Sequence, residues 1–203
     1  MKTANEYENK YWDINKLVIG IDEAGRGPLA GPLVVAGVVF PIGYDSKDIY
    51  DSKKLSEKKR NELYDVIVND ALYFDIRVVS PQEVDRLNIY QATRKAMTQI
   101  GNDAPVDVIL TDAMKLIETE KEVIDLIKGD QKSASIAAGS ILAKVTRDRI
   151  MYELDKIYPQ YNFAENKGYP TPQHLQALEE FGITEIHRRS YKPVMETMQG
   201  KLF

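Results

Sequence analysis

One arrangement narrows the fold of this chain more than any other. Two runs rich in β-branched and aliphatic residues, Leu17 to Asp22 and Leu33 to Phe40, flank a stretch that carries Gly25, Gly27, Pro28, Gly31 and Pro32. Apolar runs of this length read as strands, and the glycines and prolines between them read as a turn. Two neighbouring antiparallel strands are therefore predicted. The first ends in adjacent acids, Asp22 and Glu23, at the kind of strand terminus where open α/β sheets form ligand sites. Unpaired carboxylates are expensive in such a place. Adjacent residues of a strand face opposite sides, so the two acids converge on one ion only if the strand ends there. From this segment alone, a surface turn with solvated acids is an equal reading.

Further elements follow in order. Ser56 ahead of Glu57, Leu63, Val66 and Ile67 predicts a capped amphipathic helix over 56–69. Leu72 to Val79 reads as a third strand. Ser80-Pro81 opens a helical region, and a further helix covers Asn88 to Ile100. Val108 to Thr111 is a short buried strand ending at Asp112. Val123 to Ile127 reads as a fifth strand, with a helix left open by its Glu and Lys neighbours. A long helix from Ser133 to Ile157 is stopped by Pro159. A short one, Pro172 to Glu180, stops at Gly182, and the tail from Thr184 is polar and partly irregular. The order predicts a mixed α/β sheet flanked by helices. The 203 residues suit a single catalytic domain, with a helical C-terminal section from about 155 packed on it.

Cysteine is absent and the only histidines are His174 and His187. Disulfides, thiolate sites and thiol nucleophiles are excluded, and any metal must be held mainly by oxygen, which suits Mg²⁺ or Mn²⁺. The net charge of −4 offers no global footprint for nucleic acid, so such a partner would need local basic patches. No apolar run approaches the ~20 residues that span a bilayer, and the start, Met1 to Asp13, lacks the apolar core of a signal peptide. A cytoplasmic protein with no membrane partner is expected. Asp112 ends a strand and Asp130 precedes the long helix. Each has an ordinary alternative, a solvated strand end and a helix cap. Several carboxylates at element ends, beside glycine-rich backbone and without cysteine, shift the balance towards a metal site.

The run Asp22-Glu23-Ala24-Gly25-Arg26-Gly27-Pro28 resembles the amino-terminal signature of the ribonuclease HII family, and Asp51-Ser52-Lys53-Lys54-Leu55-Ser56 resembles its second motif. The stretch from Ser135 to Asp148, with Gly139-Ser140-Ile141-Leu142-Ala143-Lys144-Val145 at its centre, is similar to its central helix. Lys167-Gly168-Tyr169-Pro170-Thr171 and His187-Arg188-Arg189-Ser190-Tyr191-Lys192-Pro193-Val194 resemble its final motifs. The resemblance implies a ribonuclease H-like fold and a metal site made by Asp22, Glu23, Asp112 and Asp130, holding two divalent cations, Mg²⁺ or Mn²⁺. Asp107 rivals Asp112 but opens its strand, about a strand length from Asp22 if the two run parallel. Asp148 rivals Asp130 but is more simply the i,i+4 partner of Lys144.

The resemblance also implies that Ser52 and Lys53 meet nucleic acid through the backbone. It implies that Tyr169 works with the backbone of Gly25, Arg26 and Gly27 to sense a 2′-OH, an aromatic ring being suited to stacking on a sugar. Arg188, Arg189 and Lys192 read as a phosphate-facing patch or, alternatively, a solvated tail. His174 reads as a surface or packing residue, and His187 has no assigned role. The implied partners are RNA/DNA hybrid and duplex DNA containing ribonucleotides, cut on the 5′ side of the ribonucleotide by a monomer. Arg26 and the lack of an added N-terminal domain favour this family over its sister, ribonuclease HIII. Another nuclease or recombinase of the same broad fold would share the acids but lack the Gly-Arg-Gly and Tyr169 pair. A binding protein without activity would have no use for four acids, and a nucleotide phosphatase or kinase would need a P-loop that is missing.

Overall fold

The computed structural model describes residues 5–46, 48–50 and 52–200. Asp51 of the second motif lies outside them. Two compact units are present. One takes the chain up to Ala24, Val34–Arg77 and Thr93–Val145, and the other takes Gly25–Leu33, Val78–Ala92 and the chain from Thr146.

The first unit is built on five strands, β1 (Val18–Ala24), β2 (Leu33–Val39), β3 (Tyr73–Val79), β4 (Val108–Asp112) and β5 (Glu122–Leu126), in the order β3-β2-β1-β4-β5. β1 pairs antiparallel with β2 and parallel with β4, and β4 pairs parallel with β5. The expected mixed sheet is present, and the segment left between strand and helix is a strand. Parallel pairing in the register Val18↔Val108 through Ile21↔Thr111 brings the carboxyl ends of β1 and β4 side by side. Asp22 and Asp112 each follow by one residue, so both strands deliver an acid to the same end of the sheet.

Two helices cover this sheet from opposite faces. A Cβ on Gly37 of β2 would stand 2.6 Å from Ile100 of α4 (Ile89–Asp103) and 2.8 Å from Ile19 of β1. Residues of odd number on β1 therefore face α4. Even-numbered Gly20 faces α5 (Ala134–Ile157), where a Cβ would overlap the backbone of Ser135 and Ile136. On α5 itself, a Cβ on Gly139 would lie 2.7 Å from the Ala36 carbonyl oxygen and 3.3 Å from the Asp22 nitrogen. Small residues on both partners thus let the helix backbone reach the strand backbone. Val18, Val108, Leu110, Leu126 and Ile136 form the core on this side.

The remaining helices are α1 (Glu6–Trp12), α2 (Glu57–Asp70), α3 (Pro81–Leu87), α6 (Phe163–Asn166), α7 (Pro172–Phe181) and α8 (Lys192–Gly200). Ser56, Ser80 and Thr171 cap α2, α3 and α7, each accepting from the backbone N–H three residues on. Three elements depart from expectation. α1 and the single turn α6 have no counterpart in the sequence reading, and the tail expected to be partly irregular contains α8, which buries Val194 against Leu29, Ala30, Met151, Tyr161, Phe163 and Leu178 of the second unit. All are short, and their apolar residues find a face only when the rest of the chain supplies one.

Gly139→Ala tests the close approach. In an exposed helix that change would stabilise by about 1 kcal/mol. Here the new methyl meets a backbone carbonyl that cannot move away, so overpacking prevails. Denaturant unfolding of Gly139→Ala should show a net loss of about 1–2 kcal/mol, and a gain would contradict the packing described.

Candidate active site

Asp22 lies on the α5 face of β1 and is 5% exposed. Its Oδ1 accepts the Glu23 backbone N–H at 2.7 Å, and the Ser140 hydroxyl, one residue beyond the close approach at Gly139, also donates to it. Ser140 Oγ lies 2.9 Å from Ser52 Oγ, so a buried chain of hydroxyls joins the turn Ser52–Lys54 to Asp22. Burial raises the pKa of Asp22 well above the usual carboxylate value, and the negative charges of Glu23 and Asp112 raise it further. The two hydrogen bonds oppose this without reversing it. The half-buried Asp112 accepts the Gly129 backbone N–H at 2.8 Å through Oδ1. Asp130 is the next residue, 4% exposed, on the turn Gly129–Gln131.

The four expected acids therefore fall into one neighbourhood of the first unit, Asp22 beside Glu23 and Asp112, and Asp130 attached through Gly129. They are not drawn into a closed cage. Among the described residues, no three of the Asp, Glu and His side chains are gathered tightly enough to surround one ion. β1 continues through Ala24 rather than ending at Asp22, so strand alternation sends Asp22 and Glu23 to different sides. Mutual repulsion also favours separation. The donor set, all carboxylate oxygen around a buried acid that resists ionisation, fits a hard divalent cation. Asp107, the rival of Asp112, accepts from the Glu122 backbone N–H at the opposite end of β4.

The second unit holds the Gly-Arg-Gly turn. Gly25 has φ 97°, a region that disfavours other residues, while Arg26 and Gly27 are exposed. Two buried arginines tie this segment down. Arg147 donates to the carbonyls of Pro32 (2.9 Å), Ala30 (3.1 Å) and Lys167 (3.0 Å). Arg188 donates to Gly31 O (3.0 and 3.1 Å), to Arg26 O (3.1 Å) and to the Tyr191 hydroxyl (3.0 Å), which itself donates to Arg26 O. Burial together with the neighbouring Arg188 charge lowers the Arg147 pKa to about 10. Arg188 thus departs from the expected phosphate-facing patch: its relative exposure is 0%, and its donors are used on the protein backbone. Arg189 and Lys192 remain exposed.

Tyr169 stands beside this turn, with a Cβ on Gly27 reaching 3.4 Å from its ring. The residue is 44% exposed, yet its backbone is fixed: Tyr169 N donates to Asn166 O at 2.9 Å, and Tyr169 O accepts from Thr171 N at 2.8 Å. The histidines complete the support. Thr184 N donates to His187 Nδ1 at 3.0 Å, which makes His187 Nε2–H the donor to His174 Nε2 at 3.1 Å. His174 Nδ1–H then donates to Tyr169 O at 2.9 Å. Each tautomer is set by the next bond. His174 is fully buried rather than on the surface, and His187, unassigned in sequence, is its partner. Sequence reasoning also missed Ser140 and Arg147 as individual residues, although both lie inside the quoted helix motif. Ser52 is buried, and Lys53 is exposed.

Comparison with known proteins matches residues 19–194 to the family model for ribonuclease HII. The chain is 48% identical over 192 residues to ribonuclease HII of Lactobacillus acidophilus, covering 94% of this chain and 76% of that protein. It is 49% identical over 180 residues to ribonuclease HII of Francisella tularensis, covering 88% and 96%. Among solved structures, ribonuclease H2 of Pyrococcus horikoshii superposes with a TM-score of 0.81 at 26% identity, covering 91% of this chain and 98% of that one. Sheet order, acid placement and these likenesses define a hydrolase on the ribonuclease H-like fold. The chain belongs to the ribonuclease HII family and is an endoribonuclease acting on RNA/DNA hybrids.

Two measurements follow from the electrostatics. Because the native Asp22 pKa lies above its ordinary value of 3.8, the ionised side chain works against folding as pH rises past that value. Asp22→Asn in metal-free buffer at neutral pH should therefore melt no lower than wild type, within about 1 kcal/mol or better. A clear fall in melting temperature would contradict this. For His187, burial and the facing His174 lower the native pKa from 6.5 to about 4. The unfolded chain then takes up the proton first, so stability is full above pH 6.5 and is lost as pH falls towards 4. That loss should be on the order of 3 kcal/mol in denaturant titrations across the window, and His187→Asn should flatten it.

Proposed function

We propose that the chain hydrolyses the RNA strand at ribonucleotides, both in RNA/DNA hybrids and where single ribonucleotides are embedded in duplex DNA. Cutting is on the 5′ side of the ribonucleotide. The observation that carries the reading is Asp22, a buried acid whose charged form is disfavoured by burial and by two further carboxylates. Such perturbed groups cluster at functional sites, and a bound cation would favour the ionised form of Asp22.

In this reading Asp22, Glu23, Asp112 and Asp130 would hold two divalent cations, Mg²⁺ or Mn²⁺. When bound, the cations polarise the phosphoryl group and ease both attack by water and departure of the 3′ oxygen. The new P–O bond comes from water, the bond between phosphorus and the upstream 3′ oxygen breaks, and that oxygen takes a proton. The products are a 3′-OH and a 5′-phosphate on the ribonucleotide. Ser140 orients the Asp22 carboxylate from the side of Ser52. The Ser52 and Lys53 backbone meets the substrate strand, with exposed Lys53 and Arg189 adding phosphate attraction. Arg188 serves by holding the Arg26 carbonyl and hence the turn.

Recognition of the ribonucleotide rests on the turn Gly25 to Gly27 and Tyr169. The residue is exposed on a backbone held by three hydrogen bonds, so it is presented rather than packed away. A hydroxyl both donates and accepts, and a site built round a 2′-OH leaves polar groups unpaired against deoxyribose. The protein works in this reading as a cytoplasmic monomer.

One comparison tests the assignment. With Mg²⁺ or Mn²⁺ present, wild type should cut a DNA duplex carrying one ribonucleotide and spare an all-DNA duplex. Asp112→Asn should lose cleavage by at least about 100-fold while still binding the duplex. Tyr169→Ala should lose much more activity on the single ribonucleotide than on a long RNA strand in a hybrid, where other 2′-OH contacts persist. Equal losses on both substrates would mean that Tyr169 supports the loop and does not read the sugar.

A further inference from the structure

Helix α1 lies ahead of residue 19, where the family match begins, yet it supplies one of the most deeply buried acids in the first unit. Glu8 has a relative exposure of 0%. Its Oε1 accepts the Ser133 hydroxyl at 2.5 Å and the Ser135 backbone N–H at 2.9 Å. Its Oε2 is buried with no hydrogen-bond partner. The helix is seated there by Tyr7 and Tyr11, which pack on Val18, Leu110, Leu126 and Ile136, and the Tyr11 hydroxyl donates to Glu122 at 2.6 Å.

A buried carboxylate carries a substantial desolvation cost. Glu8 shares the capping of α5, taking the Ser135 N–H, while Ser133 Oγ accepts from Ile136 N at 3.1 Å. Glu8 does something further: it fixes the Ser133 hydroxyl that makes the cap. Ser133 N in turn donates to Gly129 O at 2.8 Å, and Gly129 N donates to Asp112 Oδ1 at 2.8 Å. Asp130 lies within that short closed loop. A continuous path of hydrogen bonds therefore leads from Glu8 through Ser133 and Gly129 to Asp112.

We propose that Glu8 is a positioning residue for the metal site: through Ser133 it sets the turn Gly129–Gln131, and so the placement of Asp112 and Asp130 relative to each other. The proposal rests on the reading that these two acids hold divalent cations. Groups that orient metal ligands from behind contribute to affinity without touching the metal, and their loss weakens binding by about 10- to 100-fold.

The test is Mn²⁺ binding to the full chain, followed by the electron paramagnetic resonance signal of free Mn²⁺, beside thermal melts without metal. Glu8→Ala should weaken Mn²⁺ binding by about 10-fold. Glu8→Gln, whose amide oxygen can accept the same two bonds, should restore most of the affinity. Asp130→Asn tests the underlying reading separately: wild-type Mn²⁺ binding in that variant overturns the metal assignment and the proposal with it. If Asp130→Asn loses binding while Glu8→Ala binds like wild type below its melting point, the positioning role is overturned and Glu8 is a packing residue. Should Glu8→Ala not fold, Ser133→Ala interrupts the same path from its other side. Weakened Mn²⁺ binding there supports the role, and wild-type affinity overturns it.

Discussion

The contact on which the site depends is the approach of α5 to β1, backbone against backbone. It exists because Gly20 on the strand and Gly139 on the helix have no side chain to hold the two apart. At an ordinary helix-to-sheet separation, a serine hydroxyl on α5 would fall short of a carboxylate on the strand. Here Ser140 reaches Asp22 and also Ser52. The same approach removes Asp22 from water, and that removal disfavours its charge. A packing constraint therefore becomes an electrostatic one, and the electrostatic one defines the chemistry the site can host.

Carboxylates in this setting are in tension. Each strand and turn delivers its acid by its own backbone pairing, so placement is paid for by the sheet rather than by attraction among the acids. The Gly129 N–H given to Asp112 and the Glu23 N–H given to Asp22 offset part of the repulsion. What remains keeps the Asp22 pKa above its ordinary value. The N-terminal helix adds a buried acid of its own through Glu8, and it does so by bonding to the start of α5, where unpaired backbone N–H groups favour negative charge.

The second unit solves a different problem, the presentation of a turn that must stay in one shape while exposed. Its means are donors buried behind the turn. Arg147 and Arg188 direct six guanidinium hydrogen bonds at carbonyls between Arg26 and Lys167, and the His187–His174 chain holds Tyr169 by its carbonyl. Arginine suits that role because it keeps its charge and five donors even when buried. Neutral histidines suit theirs because each ring accepts at one nitrogen and donates at the other. Protonation would place two donors face to face.

Much of this was legible in the residues themselves. Most strands and helices were placed by apolar periodicity and by Ser56, Ser80 and Pro159, because local patterns depend on neighbours in sequence, although β1 runs on to Ala24 past the limit expected at Asp22. The acids Asp22, Glu23 and Asp112 stood out by falling at strand ends, and the motif resemblance supplied the family. What the sequence did not disclose depended on groups distant along the chain. Glu8 lies on a helix too short to announce itself and finds Ser133 only after folding. Arg188 reads as part of a basic surface cluster until the fold buries it against Gly31 and Arg26. His174 and His187 are two unremarkable histidines until they meet. The sequence by itself determined which chemical groups are available and which elements carry them, since those are local properties. Only the tertiary structure decided which of them are buried, which face solvent and which are hydrogen-bonded to one another, because burial and pairing are relations between segments that the chain order does not record.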